Sequence, residues 1–250
     1  MMRYLTCLFL LLFSCAGYAK NYYSIDLSAE RAPAIVTQES LSDLVQQLVA
    51  PYQKEEDKAR VLLAWIVKNI DYDHYRYKKM VEKQKHPHST KDYSVPDNDI
   101  LTTHLGICAT IAELYVRMAK SAGLTARTVE GFAGENLTTR TYEDNPHAWV
   151  IVTIDDEEKF IDPTWAIQGG VQDATKNITR NSAYQAELTR REKKKFSPQK
   201  NRSVDDKWFL TKPKVMIKTH YPNDLEDQLL QHPISLSSFL LKSRYEAYIH

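Results

Sequence analysis

Three residues have the types and the order that nucleophilic catalysis by a thiol requires. Cys108 stands in Leu105-Gly106-Ile107-Cys108-Ala109-Thr110, where a loop gives way to an amphipathic helix. His147 follows in His147-Ala148-Trp149, and Asp162 in Phe160-Ile161-Asp162-Pro163-Thr164-Trp165. A thiol attacks as its thiolate, and a free cysteine is mostly protonated at neutral pH. Two things can change that balance. A helix start carries about half a positive charge on its unpaired N–H groups, and an imidazolium beside the sulfur stabilises the anion. A carboxylate on the far ring nitrogen then fixes the tautomer. Each residue also has an ordinary reading. Cys108 could be a small core hydrophobe, His147 a half-buried histidine and Asp162 the cap of a turn before Pro163. The joint pattern of helix-start Cys, strand-start His and strand-end Asp is what sets them apart. Were Asp162 only a turn residue, Asp71 or Asp73 would be the place to look for a third member.

The elements that must position these residues are legible around them. Cys108 to Ala122 reads as a helix with Ile111, Ala112, Tyr115, Met118 and Ala119 on one face, stopped by Gly123. Arg127–Ala133, His147–Ile154 and Lys159–Asp162 read as strands, the last two joined by a hairpin turn at Asp155-Asp156. That hairpin brings 147 and 162 towards each other. Upstream, Ser40–Val49 reads as a short helix with Ser40 as N-cap. Lys54–Ile70 reads as a longer one with a stripe of Ala59, Leu62, Leu63, Ile66 and Ile70.

Other stretches carry less signal. Residues 74–98 are polar with no sustained period. A metal site at His74, His86 and His88 is the alternative to a solvated basic loop, but the spacing is loose and the loop is the better reading. Residues 134–145 form a polar loop leading to His147. Residues 166–206 show little apolar signal, and Lys193-Lys194-Lys195 is a charge run. Beyond them come Trp208-Phe209-Leu210, a strand at Val215-Met216-Ile217 and a closing helix at Ser235–Leu241. Asn136-Leu137-Thr138 and Asn177-Ile178-Thr179 match glycosylation acceptors.

Residues 1–19 read as an export signal: Arg3 near the start, an apolar run from Leu5 to Phe13, and small residues in Gly17-Tyr18-Ala19. The rival reading is a lipoprotein box at Leu12-Phe13-Ser14-Cys15, which would leave Cys15 lipidated. The expected organisation is a signal at 1–19, a helical lead-in at 20–53, a catalytic core at 54–168, a polar insertion at 169–206 and a C-terminal block at 207–250 packed on the core. Cleavage after Ala19 removes Cys7 and Cys15, so Cys108 has no internal disulfide partner. It also removes Arg3, leaving 32 of the 33 Lys and Arg against 32 Asp and Glu. That balance argues against nucleic acid or an anionic membrane as partner, unless Cys15 is lipidated. Stability must come from the core, which 43% hydrophobic content can supply.

Gly106-Ile107-Cys108, Ala112-Glu113-Leu114-Tyr115, Gly123-Leu124, Val129-Glu130-Gly131-Phe132, His147-Ala148-Trp149 and Phe160–Trp165 together resemble the core blocks of the transglutaminase-like superfamily, in order. The kyphoscoliosis-peptidase branch is the most similar. Its upstream pattern is matched by Trp65, Ile70, Tyr72 and Asp73, and its C-terminal block by Trp208-Phe209-Leu210, Thr219-His220-Tyr221-Pro222, Gln228-Leu229-Leu230 and Pro233-Ile234. The resemblance implies an α+β, papain-like core with the nucleophile at the N-terminus of a helix packed on an antiparallel sheet. Cys108 would be the nucleophile, His147 the general base and acid, and Asp162 the orienting carboxylate. The reaction would be acyl transfer through a thioester on a protein or peptide substrate. Water as acceptor gives a cysteine protease or amidase, and an amine gives a transglutaminase. A catalytically idle binding module is the third reading. Calcium-dependent animal relatives flank the cysteine with Gln and Trp, where this chain has Ile107 and Ala109. Many relatives have Asn where it has Val150. The backbone N–H of Cys108 is one candidate oxyanion donor, and the second is unnamed. No acidic loop resembles a calcium site, so no metal and no cofactor are expected.

Overall fold

A computed structural model describes residues 21–247 apart from 35, 89, 91–98, 136, 139–143, 168–177, 179 and 196–201. The elements run α1 (Tyr23–Arg31), α2 (Leu41–Val49), α3 (Glu55–Asn69), β1 (Asp71–Tyr72), α4 (His74–Lys85), α5 (Ile100–Thr103), β2 (Leu105–Gly106), α6 (Cys108–Ser121), β3 (Ala126–Ala133), β4 (Pro146–Ile154), β5 (Glu157–Ile161), α7 (Pro163–Ile167), α8 (Asn181–Arg190), α9 (Pro213–Met216), β6 (His220–Pro222) and α10 (Leu236–Ala247). The signal segment and both glycosylation-type asparagines lie outside the described residues.

The fold is α+β. Four antiparallel strands lie in the order β5-β4-β3-β6, and α6 packs on β3 and β4. On its other side α6 meets α3, which is buried all round from Ala59 to Asn69. Apart from Arg60, Lys68 and Asn69, that stretch is apolar on every side, as in a core helix. Ala148 through Val152 of β4 are all buried, so its apolar run is covered on both faces of the sheet. The β4–β5 hairpin turns at Asp155 and Asp156 with φ of 51° and 63°, the doubly left-handed turn that matches the twist of its strands. A second, two-stranded sheet pairs β1 with β2 in parallel, Tyr72 opposite Gly106.

Gly131 of β3 faces His147 of β4 on one side and Pro222 of β6 on the other. A Cβ there would lie 2.2 Å from the Tyr221 carbonyl oxygen and 2.9 Å from Trp149 Cη2. Its absence lets β6 close on the sheet.

Three stretches differ from the sequence expectation. The polar run at 74–98 begins with α4, whose start is capped by the Asp73 carboxylate accepting from the Arg76 N–H at 2.9 Å. Tyr75 is the one residue α4 buries, so no apolar stripe betrays it. Within 166–206, α8 buries Tyr184 and Leu188, and Tyr184 stacks on Tyr75 at 4.5 Å. Two residues four apart are too few to raise a helical period over a polar background. The strand expected at Val215-Met216-Ile217 is instead α9 and the residue after it. Pro213 opens that turn, and its carbonyl accepts from the Ile217 N–H.

A buried ionic cluster fastens Arg191, just after α8, and Arg202 to the body. Asp71 accepts from Arg191 Nη2 at 2.9 Å and also from Arg202 Nη2. Arg191 reaches the carbonyls of Thr103 and His104, and Arg202 those of Val67 and Ile70. All three side chains are at most 3% exposed.

Candidate active site

Cys108 is the first residue of α6 and is 4% exposed. Thr110 pins the helix entry: its Oγ1 accepts from the Ile107 N–H at 3.0 Å and donates to the Ile107 carbonyl. The preceding Gly106 is held by β1, since its carbonyl accepts from the Asp73 N–H at 2.9 Å. The same pairing brings Tyr72 alongside, near enough that Cys108, after burial, adds to the rise of the Tyr72 phenol's pKa.

His147 opens the buried half of β4. Its Nε2 lies 2.8 Å from Asp162 Oδ2. The Cys108 side chain lies near enough to add to the rise of the ring's pKa. With Nε2 turned to the carboxylate, Nδ1 is the atom left for the sulfur. Asp162 follows β5 and is fully buried, its own N–H donating to the Trp208 carbonyl. Its Oδ1 accepts from the N–H groups of Thr164 and Trp165 at 2.9 and 3.0 Å, capping α7. Asp162 thus caps α7 with one oxygen and meets His147 with the other.

A fourth residue completes the cluster. His220 Nε2 lies 3.0 Å from the same Asp162 Oδ2, and His220 Nδ1 lies 2.8 Å from Thr219 Oγ1. His220 is 1% exposed and sits among indoles: Trp165 at 4.5 Å, Trp149 at 5.1 Å and Trp208 at 5.3 Å between ring centroids. Its segment, Thr219-His220-Tyr221-Pro222, stands in the sequence as a matched block with no role attached. A separation of 58 positions between Asp162 and His220 hides the pairing.

Burial alone would push the His147 pKa down, but the charge and hydrogen bond of Asp162 overcome it, with help from Cys108, and raise it to about 10. Burial would raise the Asp162 carboxyl, yet His147 and then His220 hold it well below the usual carboxylate range. Burial wins at His220, lowering its pKa to about 4 against the pull of Asp162. At neutral pH the cluster is therefore an imidazolium, a carboxylate and a neutral imidazole. The Tyr72 and Tyr77 phenols are pushed up, first by burial and then by Cys108, so both remain proton donors.

The donor atoms of His147, Asp162 and His220 lie within 4.8 Å of one another and are a grouping that could take a metal ion. Both Nε2 atoms, however, are aimed at one carboxylate oxygen at hydrogen-bond distance rather than at a common centre. Of the other histidines considered, His74 packs edge-on to Tyr72 at 4.9 Å, and His86 and His88 are exposed. Asp73 is engaged with Arg76 and Tyr184, and Asp71 with Arg191 and Arg202, so neither alternative third member bonds to His147.

Residues 42–162 match the family model of the transglutaminase-like superfamily. Kyphoscoliosis peptidase of Mus musculus is 26% identical over 221 residues, covering 87% of this chain and 28% of that protein. Hillarin of Drosophila melanogaster is 26% identical over 216 residues, covering 81% of this chain and 22% of that protein. The chain thus spans less than a third of the length of either relative. Among solved structures, a TGase aligns with a TM-score of 0.38 at 16% identity, covering 67% of this chain and 38% of that one. The periplasmic domain of TgpA from Pseudomonas aeruginosa aligns with a TM-score of 0.33 at 16% identity, covering 68% and 50%.

Proposed function

We propose that this chain, whose residues 42–162 are a transglutaminase-like domain, is an exported thiol enzyme that cleaves amide bonds of proteins or peptides through a thioester. The observation that carries the reading is the buried His147–Asp162 pair, 2.8 Å apart, with Cys108 near enough to influence the charge on the imidazole. A cysteine kept only for packing has no use for a charged, oriented histidine beside it.

In this reading the Cys108 sulfur attacks the substrate carbonyl carbon. The oxyanion receives hydrogen bonds from the backbone N–H of Cys108, at the start of α6, and from the Tyr72 hydroxyl. Tyr72 is suited to that work because a donor close to the sulfur also lies near an oxygen on the carbon the sulfur attacks. The C–N bond breaks, and the leaving amine takes the proton from His147 Nδ1. Water then attacks the thioester as His147 accepts its proton. The carboxylic acid leaves, and the thiolate–imidazolium pair is restored. An amine in place of water would form a new amide, and no residue of the site excludes it. Asp162 holds the ring and stays ionised throughout. Export rests on the signal-like residues 1–19. Among the described residues, no helix is long and apolar enough to cross a membrane.

The test is intact mass after incubation with peptide amides, with and without an amine. An acyl adduct present on the parent and missing in Cys108→Ala supports the reading, and the released product tells acid from new amide. No adduct and no turnover on any peptide, with a Cys108 that resists alkylation until unfolding, would leave the idle binding module as the reading.

A further inference from the structure

Asp162 is met by two imidazoles, and the reaction above uses one of them. We propose that His220 is a positioning residue for the thiol centre, locking the carboxylate oxygen that orients His147. The inference rests on the reading of Cys108, His147 and Asp162 as catalytic, and extends it to a fourth residue in the last strand of the sheet.

The hydrogen bonds have a direction. An ionised carboxylate only accepts, so His147 Nε2 and His220 Nε2 both carry hydrogen. A neutral His220 then has a bare Nδ1, and the Thr219 hydroxyl 2.8 Å away donates to it. The chain runs from the Thr219 hydroxyl to His220, from His220 to Asp162, and from His147 to the same oxygen. With two N–H groups of α7 on Oδ1 and two imidazoles on Oδ2, every acceptor direction of the carboxylate is filled. Asp162 has one orientation in which all four bonds survive.

Space-filling does not account for a histidine here. Its surroundings are Trp149, Trp165 and Trp208, where an apolar ring would pack at least as well. Burying an imidazole in such a place is costly unless its nitrogens are bonded, and here both are. Gly131 supplies the clearance that β6 needs to bring His220 in, with the Tyr221 carbonyl and Trp149 in the space a Cβ would take. Without His220, Oδ2 would keep a single bond, and the carboxylate could turn between its α7 contacts and His147.

The experiment compares the parent with His220→Phe, His220→Gln and Thr219→Val. It reads kcat and KM on a peptide amide, and alkylation of Cys108 by iodoacetamide at neutral pH without substrate. His220→Phe keeps the volume and removes the donor; kcat should fall roughly 10- to 100-fold with KM changed less than about twofold, and alkylation should slow in parallel. His220→Gln restores an N–H donor and should recover to within about fivefold of the parent. Thr219→Val frees the tautomer and should cost about threefold. Parental rates in His220→Phe overturn the inference, as do equal losses in folded Phe and Gln variants, since restoring the N–H donor would then make no difference. Should His220→Phe not fold, parental kcat and alkylation in Thr219→Val overturn it. An inert Cys108 in the parent sinks the thiol-enzyme reading and this inference with it. A reactive parent beside an indifferent His220→Phe sinks this inference alone.

Discussion

Among the buried carboxylates, Asp71 and Asp162 are held in opposite ways. Asp71 is clamped by Arg191 and Arg202, whose guanidiniums do not give up a proton in any ordinary pH range. Asp162 is clamped by two imidazoles, one held charged and one held neutral. Both sites meet the demand that a buried charge be paired and hydrogen-bonded. Only the second can pass a proton. The first ties α8 and the turn after it to β1 and to the carbonyls just before β2. It is therefore a fastening beneath the loop that carries Cys108. Burial and saturation mark structural importance in both places, and on the proposed reading it is the imidazole partner that fits the second for chemistry.

The contrast can be broken by substitution, and the largest effects should divide cleanly. Cys108→Ala should abolish peptide turnover and acyl-adduct formation while leaving the melting temperature close to the parent, as intact mass and calorimetry would show. Equal turnover in that variant ends the enzyme reading. Asp71→Ala should do the reverse. Two buried guanidiniums would lose their counter-charge, and urea titration should show a loss of about 3–5 kcal/mol, with any activity loss following the unfolded fraction. Stability like the parent would mean that the Arg191 and Arg202 contacts carry no net weight.

Asp162→Asn sharpens the comparison, because it keeps the shape and changes one proton. The amide oxygen can still cap α7, but its NH2 would face two Nε2 atoms that now must accept. Both rings would be driven to the other tautomer, and turnover should drop roughly 10- to 1,000-fold with alkylation of Cys108 slowing alongside. Unaltered kinetics would reduce Asp162 to the cap of α7.

The smallest effects should come from pH. His220 has a folded pKa lowered to about 4, so the unfolded chain binds more protons between that value and the ordinary 6.5. Its contribution is present above pH 6.5 and is lost as pH falls towards 4. His147 has the opposite sign. Its folded pKa is raised to about 10, so its contribution is full below 6.5 and lost as pH rises through 10. Stability should peak between these limbs, and His220→Gln should flatten the acidic one. Asp71→Ala, whose lost carboxylate bonds neither His147 nor His220, should lower the whole curve and leave the limbs set by those two histidines in place. A curve that is flat from pH 5 to 9 would contradict both histidine shifts.

Much of this was legible in the chain. The α6 face, the β4 run and the Asp155-Asp156 turn each carry their signal within a dozen residues, and Cys108, His147 and Asp162 stand at ends that local patterns define. What escaped is of two kinds. α4 and α8 bury one and two residues, so their helicity rests on a cap, a stacked Tyr75–Tyr184 pair and charged contacts rather than on an apolar period. His220 and Tyr72 reach the site through strand pairing across long separations, and no spacing in the chain announces such contacts.

That separation has a consequence for biosynthesis. Residues 108, 147 and 162 are translated before β6, and His220 joins the sheet only after 58 further residues beyond Asp162 have been added. Long-range pairings of this kind carry a loop-closure cost and form late. A chain emerging from the ribosome would then expose its thiol while Asp162 is still held on one side only. The cell that makes this protein would gain an interval in which the nascent chain, rich in its own amide bonds, is a poor target for its own sulfur.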